Sequence, residues 1–231
     1  MKNKLTGIII YSKKIKDNDL YIKVLSSNDE IISGMVYGGN SSKKKLIYQN
    51  GYFIDYFLTK RNENSPKIFT ADIGKPFIGN IYKDKYKLYA LLSILSLINL
   101  SILEGQKIKG YYKSVFNLYN NIIEKKHWII FYCEWLFDLL KLIGYQIDYK
   151  NNNDKYFFNT LKQEFSDNFE ENCIEFPHNF FSKKENTNFK NLNLIFLIFE
   201  SIFIKNHLDN INYQMPNNYV NFKKTILQRL N

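Results

Sequence analysis

The segment from residue 34 to residue 51, GMVYGGNSSKKKLIYQNG, contains residue types that could bind phosphate groups. It places two glycines, two serines and three lysines between two runs of apolar and aromatic residues. Backbone amides in glycine-rich turns and lysine ammonium groups bind phosphates both in nucleotide sites and along nucleic-acid backbones. The two kinds of site need different surroundings, so the rest of the chain has to distinguish them.

A nucleoside-triphosphate loop follows the pattern G-x-x-x-x-G-K-[ST] and leads into a helix, whose N-terminal amides hold the phosphates. Here no glycine directly precedes Lys43, and a strand-like run follows the lysines. We therefore interpret the segment as a loop between strands, in which Lys43, Lys44 and Lys45 contact phosphates without reading sequence. A solvated turn with ordinary lysines is the alternative.

Two further turns are basic. One follows the first predicted strand and the other follows the fourth, which adds five cations to the three of the first loop. The predicted DNA-binding residues are Lys13, Lys14, Lys16, Lys43, Lys44, Lys45, Lys60 and Arg61. Tyr11 and Tyr37 lie among these turns and are candidates for stacking on bases, with ordinary packing as the alternative for each ring.

Residues that could perform catalysis are sparse. The chain has no G-x-S-x-G elbow, and its three histidines lack metal-ligand spacing. Four acidic residues could be drawn together as a metal-nuclease cluster, but they fall in turn-like stretches where such residues are common; they are Asp17, Asp19, Asp29 and Glu30. We predict a protein that is not an enzyme and that has no catalytic residue, metal or cofactor.

The two cysteines, Cys133 and Cys173, are far apart and have no histidine pair nearby. This excludes a disulfide scaffold and a four-ligand zinc site, and it fits a reducing cytosol. The N-terminus lacks the pattern of a signal peptide. The longest uncharged run, residues 88–103, has 16 residues, whereas a membrane helix needs about 20. We expect a cytoplasmic protein without a membrane partner.

The net charge of +10 is unevenly distributed over the 231 residues. Residues 1–79 carry 13 basic and 7 acidic side chains, and residues 80–150 carry 10 and 6. Residues 151–231 carry nine of each. A genome rich in A and T would enrich lysine throughout, so the asymmetry indicates a polyanionic partner for the first two thirds of the chain.

The pattern of apolar residues changes near residue 80. Before it, short runs rich in β-branched and aromatic residues alternate with polar turns; they are 5–11, 20–25, 31–37, 51–59 and 67–73. Five such strands predict a small barrel of the OB type over residues 1–79. After residue 80 the period becomes helical, which predicts a helical domain over 80–231 with an irregular polar insertion at about 148–191. The fold class is α+β.

Four blocks of the chain resemble segments of one known protein family. Residues 7–39 resemble the opening segment of that family, and 46–57 resemble its L-Q-P-G strand, with Asn50 where proline is usual. Residues 127–149 resemble its W-x-x-x-Y/F-x-x-x-E helix, and 213–230 resemble its closing segment. On these blocks the chain resembles the RecO recombination-mediator proteins of bacterial DNA repair.

The chain also departs from the pattern of that family. The closing segment lacks the usual arginines. KNNND at 150–154 stands where many members carry a cysteine cluster, so we expect no zinc finger.

The resemblance implies a non-catalytic DNA-repair mediator, cytoplasmic and associated with the nucleoid. Such proteins bind single- and double-stranded DNA, anneal complementary strands and help to load the RecA recombinase onto DNA coated by single-strand-binding protein. The implied partners are RecR and the acidic, apolar tail of single-strand-binding protein, which would dock on the helical domain. A generic OB module that binds RNA or single-stranded DNA, and an adaptor that binds only proteins, are the alternatives.

Overall fold

The first five strands form a closed barrel, as the sequence predicted. A computed structural model describes residues 4–16, 18–75, 78–152, 155–182 and 187–230 of the chain. The strands are β1 (Leu5–Lys14), β2 (Leu20–Ser26), β3 (Ile31–Val36), β4 (Phe53–Thr59) and β5 (Ile68–Ile73). Their order around the barrel is β1–β2–β3–β5–β4, and all neighbouring strands are antiparallel except β3 and β5.

Alternating side chains fill the barrel, and a bulge in β1 decides which of its residues face outward. The register of β1 against β2 shifts between Ile9 and Tyr11. Directly opposite residues share a face of a sheet. Ser12 lies opposite the fully buried Ile22 and therefore belongs to the inward row, and Lys14, the next residue of that row, reaches the mouth of the barrel.

The segment between the second and third helices is hydrogen-bonded to the start of β3 and to the turn before it. Gly105 donates its N–H to the carbonyl of Ile31 at 3.0 Å, and Ile108 donates to the carbonyl of Asp29 at 3.0 Å. The Asp29 carboxylate accepts N–H groups from Gly110 at 2.8 Å and Tyr112 at 2.9 Å. Asp29 thus caps the start of the third helix from the turn between β2 and β3.

The chain divides into two compact units, an N-terminal unit (Met1–Phe116) and a C-terminal unit (Asn117–Asn231). The barrel and the second helix both lie in the N-terminal unit, where Lys23 of β2 donates to the side-chain oxygen of Asn99 at 3.0 Å. The boundary predicted at residue 79 stays a prediction, because compactness does not test which segments fold alone.

Helices follow the barrel, as the change of period predicted. The second helix begins at Lys85 because Asp84 accepts the N–H groups of Tyr86 and Lys87. A π-helical segment, Ile204–Leu208, extends the sixth helix. The helices are α1 (Ile78–Ile81), α2 (Lys85–Ser101), α3 (Tyr111–Glu124), α4 (Trp128–Leu142), α5 (His178–Ser182), α6 (Phe189–Phe203), α7 (Asp209–Ile211) and α8 (Asn217–Leu230).

The polar insertion predicted at 148–191 contains a three-stranded sheet. Its strands are β6 (Phe157–Asn159), β7 (Glu164–Ser166) and β8 (Cys173–Glu175), and their order in the sheet is β7–β6–β8.

A cluster of aromatic rings lies beside this sheet, and Phe176, which is 3% exposed, is at its centre. Its ring centroid is 5.0 Å from that of Phe165, 5.7 Å from that of Tyr149 and 4.6 Å from that of His178. This aromatic cluster packs the insertion in the C-terminal unit.

Among the helices of the described ranges, none combines the length and the apolar character that crossing a bilayer requires.

Candidate nucleic-acid interface

Two of the predicted lysines line one groove at an end of the barrel. Lys14 at the end of β1 and Lys45 in the loop between β3 and β4 line the same groove, which has a volume of about 390 Å³. Hydroxyl and amide side chains provide further hydrogen-bonding groups in the groove; its other lining residues are Ser12, Leu20, Asn40, Tyr48, Gln49 and Asn50. Two cations beside neutral polar groups can bind phosphate through the lysines and hydrogen-bond through the amides.

Turns, and not a strand, follow the lysines of this loop. The carbonyl of Ser41 accepts the N–H groups of Lys44 at 3.0 Å and Lys45 at 2.9 Å. Tyr48 is 4% exposed, and its hydroxyl accepts the N–H of Ala71 in β5 at 3.1 Å. The Tyr48 ring thus anchors the loop between β3 and β4 in the barrel, and the loop passes over the end of the barrel before β4 begins. The expectation of a strand directly after the lysines was therefore wrong. The lysines do not lead into a helix either.

The loop is also fixed to the turn between β1 and β2. The N–H of Gly38 donates to the Asp19 carboxylate at 2.8 Å, and the N–H of Asn40 donates to the carbonyl of Asn18 at 2.8 Å. Gly38 has a φ of 65°, a conformation that glycine adopts without strain. These bonds hold two basic segments at one end of the barrel, and Lys16 is exposed in the same turn.

The outer face of β1 and β2 carries a second group of cations and rings. Tyr11 pairs with Lys23 across the strands, and Lys13 pairs with Tyr21. The two tyrosine rings meet edge to face with centroids 6.4 Å apart, and the Lys23 ammonium lies 6.0 Å from the centre of Tyr11. Lys13 therefore faces outward, while Lys14 lines the groove. Lys23 was not among the predicted site residues, and only the cross-strand register shows that it belongs to this face.

The third basic turn, between β4 and β5, places its two cations differently. The guanidinium carbon of Arg61 lies 5.8 Å from the centre of the Tyr37 ring. The ammonium of Lys60 instead donates to the carbonyl of Glu63, at 3.4 Å, within its own turn. The Ser65 hydroxyl oxygen accepts the N–H of Arg61 at 2.9 Å, so the backbone on the Arg61 side of the turn is held in place.

Three of the four acidic residues considered as a nuclease cluster have structural partners. Asp19 holds the N–H of Gly38 and Asp29 caps α3, while Glu30 lies 4.0 Å from the ammonium of Lys107. Asp17 lies outside the described residues. In the described part of the chain, no group of three or more His, Cys, Asp and Glu side chains could hold a metal ion.

The cysteine thiols are not exposed. Cys133 and Cys173 are both buried and unpaired with each other. Burial raises the pKa of the Cys133 thiol well above its usual value, and the nearby Glu134 carboxylate raises it further. A thiol that stays protonated is a poor nucleophile, so Cys133 is a packing residue of α4.

The whole net charge of the chain lies in the unit that contains the barrel. Residues 1–116 carry 19 basic and 9 acidic side chains, a net charge of +10. Residues 117–231 carry 13 of each and are neutral. A charge asymmetry on this scale raises the local concentration of a polyanion around one unit and not the other.

Comparison with known proteins identifies relatives of the chain, although no protein-family model matches it. It is 31% identical over 148 residues to the DNA repair protein RecO of Rickettsia canadensis (strain McKiel) and 32% identical over 148 residues to that of Rickettsia akari (strain Hartford). It is 31% identical over 149 residues to the RecO of Rickettsia bellii (strain OSU 85-389).

These matches cover 64% of this chain and 61 to 62% of the length of the three relatives. The chain thus spans less than two thirds of the proteins that it matches. The barrel and the helices that follow it agree with the fold implied by the resemblance. The resemblance noted in the sequence is therefore confirmed: the chain is a homologue of proteins named DNA repair protein RecO.

Proposed function

We propose that this chain is a DNA-repair mediator that binds single- and double-stranded DNA without sequence preference and anneals complementary strands. In this role it helps to load the RecA recombinase onto DNA that is coated by single-strand-binding protein. It acts in the cytoplasm, associated with the nucleoid, and it uses no catalytic residue, metal or cofactor. The names of its relatives support the DNA-repair role.

The convergence of Lys14 and Lys45 in one groove, on the unit that holds the entire net charge, is the observation that carries this proposal. Lysine ammonium groups bind phosphate as point charges, without the planar fork with which arginine reads guanine edges. Seven of the eight predicted phosphate-binding residues are lysines, and all eight lie in turns or at a strand end of the barrel. Such a set favours binding to the backbone of DNA whatever its sequence.

We propose RecR and the tail of single-strand-binding protein as protein partners, with the tail docking on the C-terminal unit. A cleft of about 170 Å³ there is lined by both cations and apolar groups; they are Lys126, His127, Trp128, Ile129, Thr187, Ile226, Arg229 and Leu230. Basic side chains beside apolar ones complement a tail that is acidic and apolar. RecA is involved indirectly, through the DNA that the mediator exposes.

A salt titration of single-stranded DNA binding tests the proposal. The test variant replaces Lys43, Lys44 and Lys45 by glutamate, and the control replaces three exposed lysines of the C-terminal unit by glutamate, namely Lys125, Lys141 and Lys224. Both variants change the net charge equally. Since log K falls with log salt by about 0.7 for each phosphate contact with a single strand, we expect a slope shallower by about 2 in the test variant only.

Two results would contradict the proposal. If the test variant binds with the affinity and slope of the wild type, the basic loop does not contact DNA and the chain is better described as an adaptor between proteins. If the wild type binds single-stranded RNA and DNA equally and fails to anneal complementary DNA in the presence of single-strand-binding protein, it is a generic single-strand-binding module.

A further inference from the structure

We infer that Tyr37 and Arg61 form a platform on which an unpaired base stacks, and that this platform makes the chain prefer single-stranded to double-stranded DNA. The inference rests on the proposed DNA binding and adds to it a preference between strand forms. The lysines contribute affinity for any phosphate backbone, whereas the platform recognises a feature that a duplex does not offer.

The platform joins two separate loops of the barrel. Tyr37 comes directly after β3, next to Val36, which is 1% exposed and points into the core. Tyr37 itself is 44% exposed. Arg61 comes from the turn between β4 and β5 and lies 5.8 Å from the Tyr37 ring centre, within the range of a cation–π contact. The ring is thus oriented by a neighbour while much of it stays accessible.

Hydrogen bonds within the turn between β4 and β5 fix the backbone of Arg61. The Ser65 hydroxyl oxygen accepts the N–H groups of Arg61 at 2.9 Å and Asn62 at 3.0 Å, and the hydroxyl donates to the carbonyl of Asn62 at 2.8 Å. This turn is therefore ordered before any ligand binds, which lowers the entropy lost on binding. Both Tyr and Arg offer planar surfaces, and base stacking on such groups tolerates any sequence.

The other candidate ring, Tyr11, is in a different situation. It is half-buried, meets Tyr21 edge to face, and lies under the Lys23 ammonium, which is bonded to Asn99. Its neighbours on the strand face are therefore engaged in packing. Of the two tyrosines predicted to stack, the accessible Tyr37 is the one that the geometry favours.

A duplex cannot use the platform, because its bases are already stacked on one another inside the helix. A single strand exposes base faces, and stacking on an aromatic side chain contributes the equivalent of about 5- to 150-fold in affinity for each base. The loss of Tyr37 should therefore weaken binding to single strands and leave binding to duplexes unchanged.

The experiment compares Tyr37→Ala, Tyr37→Phe, Arg61→Lys and Lys60→Ala in the full chain. The probes are an oligothymidylate of about 16 nucleotides, the upper end of the site size of one OB fold, and a duplex of the same length. Lys60→Ala is the matched control for the turn, since Lys60 lies beside Arg61 but bonds to Glu63 in its own turn. Thermal unfolding confirms that each variant is folded.

We expect Tyr37→Ala to raise the dissociation constant for oligothymidylate by about 5- to 150-fold and to leave that for the duplex unchanged. Tyr37→Phe should behave as the wild type. Arg61→Lys should weaken binding to the single strand only, because it keeps the charge but removes the planar group, while Lys60→Ala should affect both probes equally. If Tyr37→Ala weakens both probes equally, or neither, the platform is wrong although DNA binding stands. If the wild type binds neither probe, the proposed function itself fails.

Discussion

Replacing both lysines of the barrel groove with alanine should reduce the number of phosphates that the chain neutralises. Lys14 and Lys45 line one groove of about 390 Å³, so a single strand that enters it passes both ammonium groups. Each contact contributes about 0.7 to the slope of log K against log salt for single strands, so the double variant should lose about 1.4. Between about 50 and about 200 mM salt, that difference amounts to about a sevenfold smaller loss of affinity.

The assay is fluorescence anisotropy of a labelled oligothymidylate, titrated at a series of salt concentrations. The control is a double variant, Lys83→Ala with Lys109→Ala, which removes the same charge from two exposed lysines of the N-terminal unit that do not line the groove. We expect the slope of the control to match that of the wild type. An unchanged slope in Lys14→Ala with Lys45→Ala would refute the reasoning, because the groove would then hold no phosphate.

The remaining predictions concern stability. Asp29→Ala should lower the free energy of unfolding by about 1 to 2 kcal/mol in urea titrations, because the N–H groups of Gly110 and Tyr112 lose their acceptor. Asp29→Asn keeps an acceptor oxygen and should lower that free energy by less. Equal losses in the two variants would show that Asp29 does not stabilise the fold as a cap. Burial raises the pKa of Tyr56 to about 12, whereas in the unfolded chain this hydroxyl ionises near its ordinary pKa of about 10. The stability that the neutral Tyr56 contributes is therefore fully present below about pH 10 and should be lost as the pH rises toward 12. Tyr56→Phe should show a shallower decline in urea titrations at about pH 9 and about pH 11, and an identical decline would contradict that origin. Phe176→Ala should lower the free energy of unfolding by about 3 to 5 kcal/mol in the same titrations. Adding EDTA to the wild type should leave its Tm unchanged. A fall in Tm with EDTA would show that a metal, and not the ring cluster, holds the insertion.

The barrel could be predicted from the sequence because each strand is a short β-branched or aromatic run bounded by turn residues. The observed β1 extends to Lys14, three residues beyond the predicted end, because Lys13 still pairs with Tyr21 and Lys14 with Leu20. Polar residues at the end of a hairpin carry no apolar signal, so only the pairing shows where the strand stops. The strands of the 148–191 insertion have three residues each, too few to show a period.

The site was less accessible to prediction, because it depends on contacts between distant segments. The sequence marks the basic turns, but it cannot show that Lys14 and Lys45 face one groove while the adjacent Lys13 faces outward; that separation follows from strand alternation after the bulge. The contact between Arg61 and Tyr37 likewise requires the barrel to close through β3 and β5. Lys23 was not predicted because a single lysine inside a strand does not show in the sequence which residue of the neighbouring strand lies opposite it.

The direct test of the central claim, that the basic barrel holds the DNA, is a map of the residues that contact it. The full chain is cross-linked to oligothymidylate with ultraviolet light, and the linked peptides are identified by mass spectrometry. We predict that the cross-links concentrate within residues 5–73, with Tyr37 among them. Cross-links confined to residues 117–230 would contradict the account, because the DNA would then lie on the unit that carries no net charge.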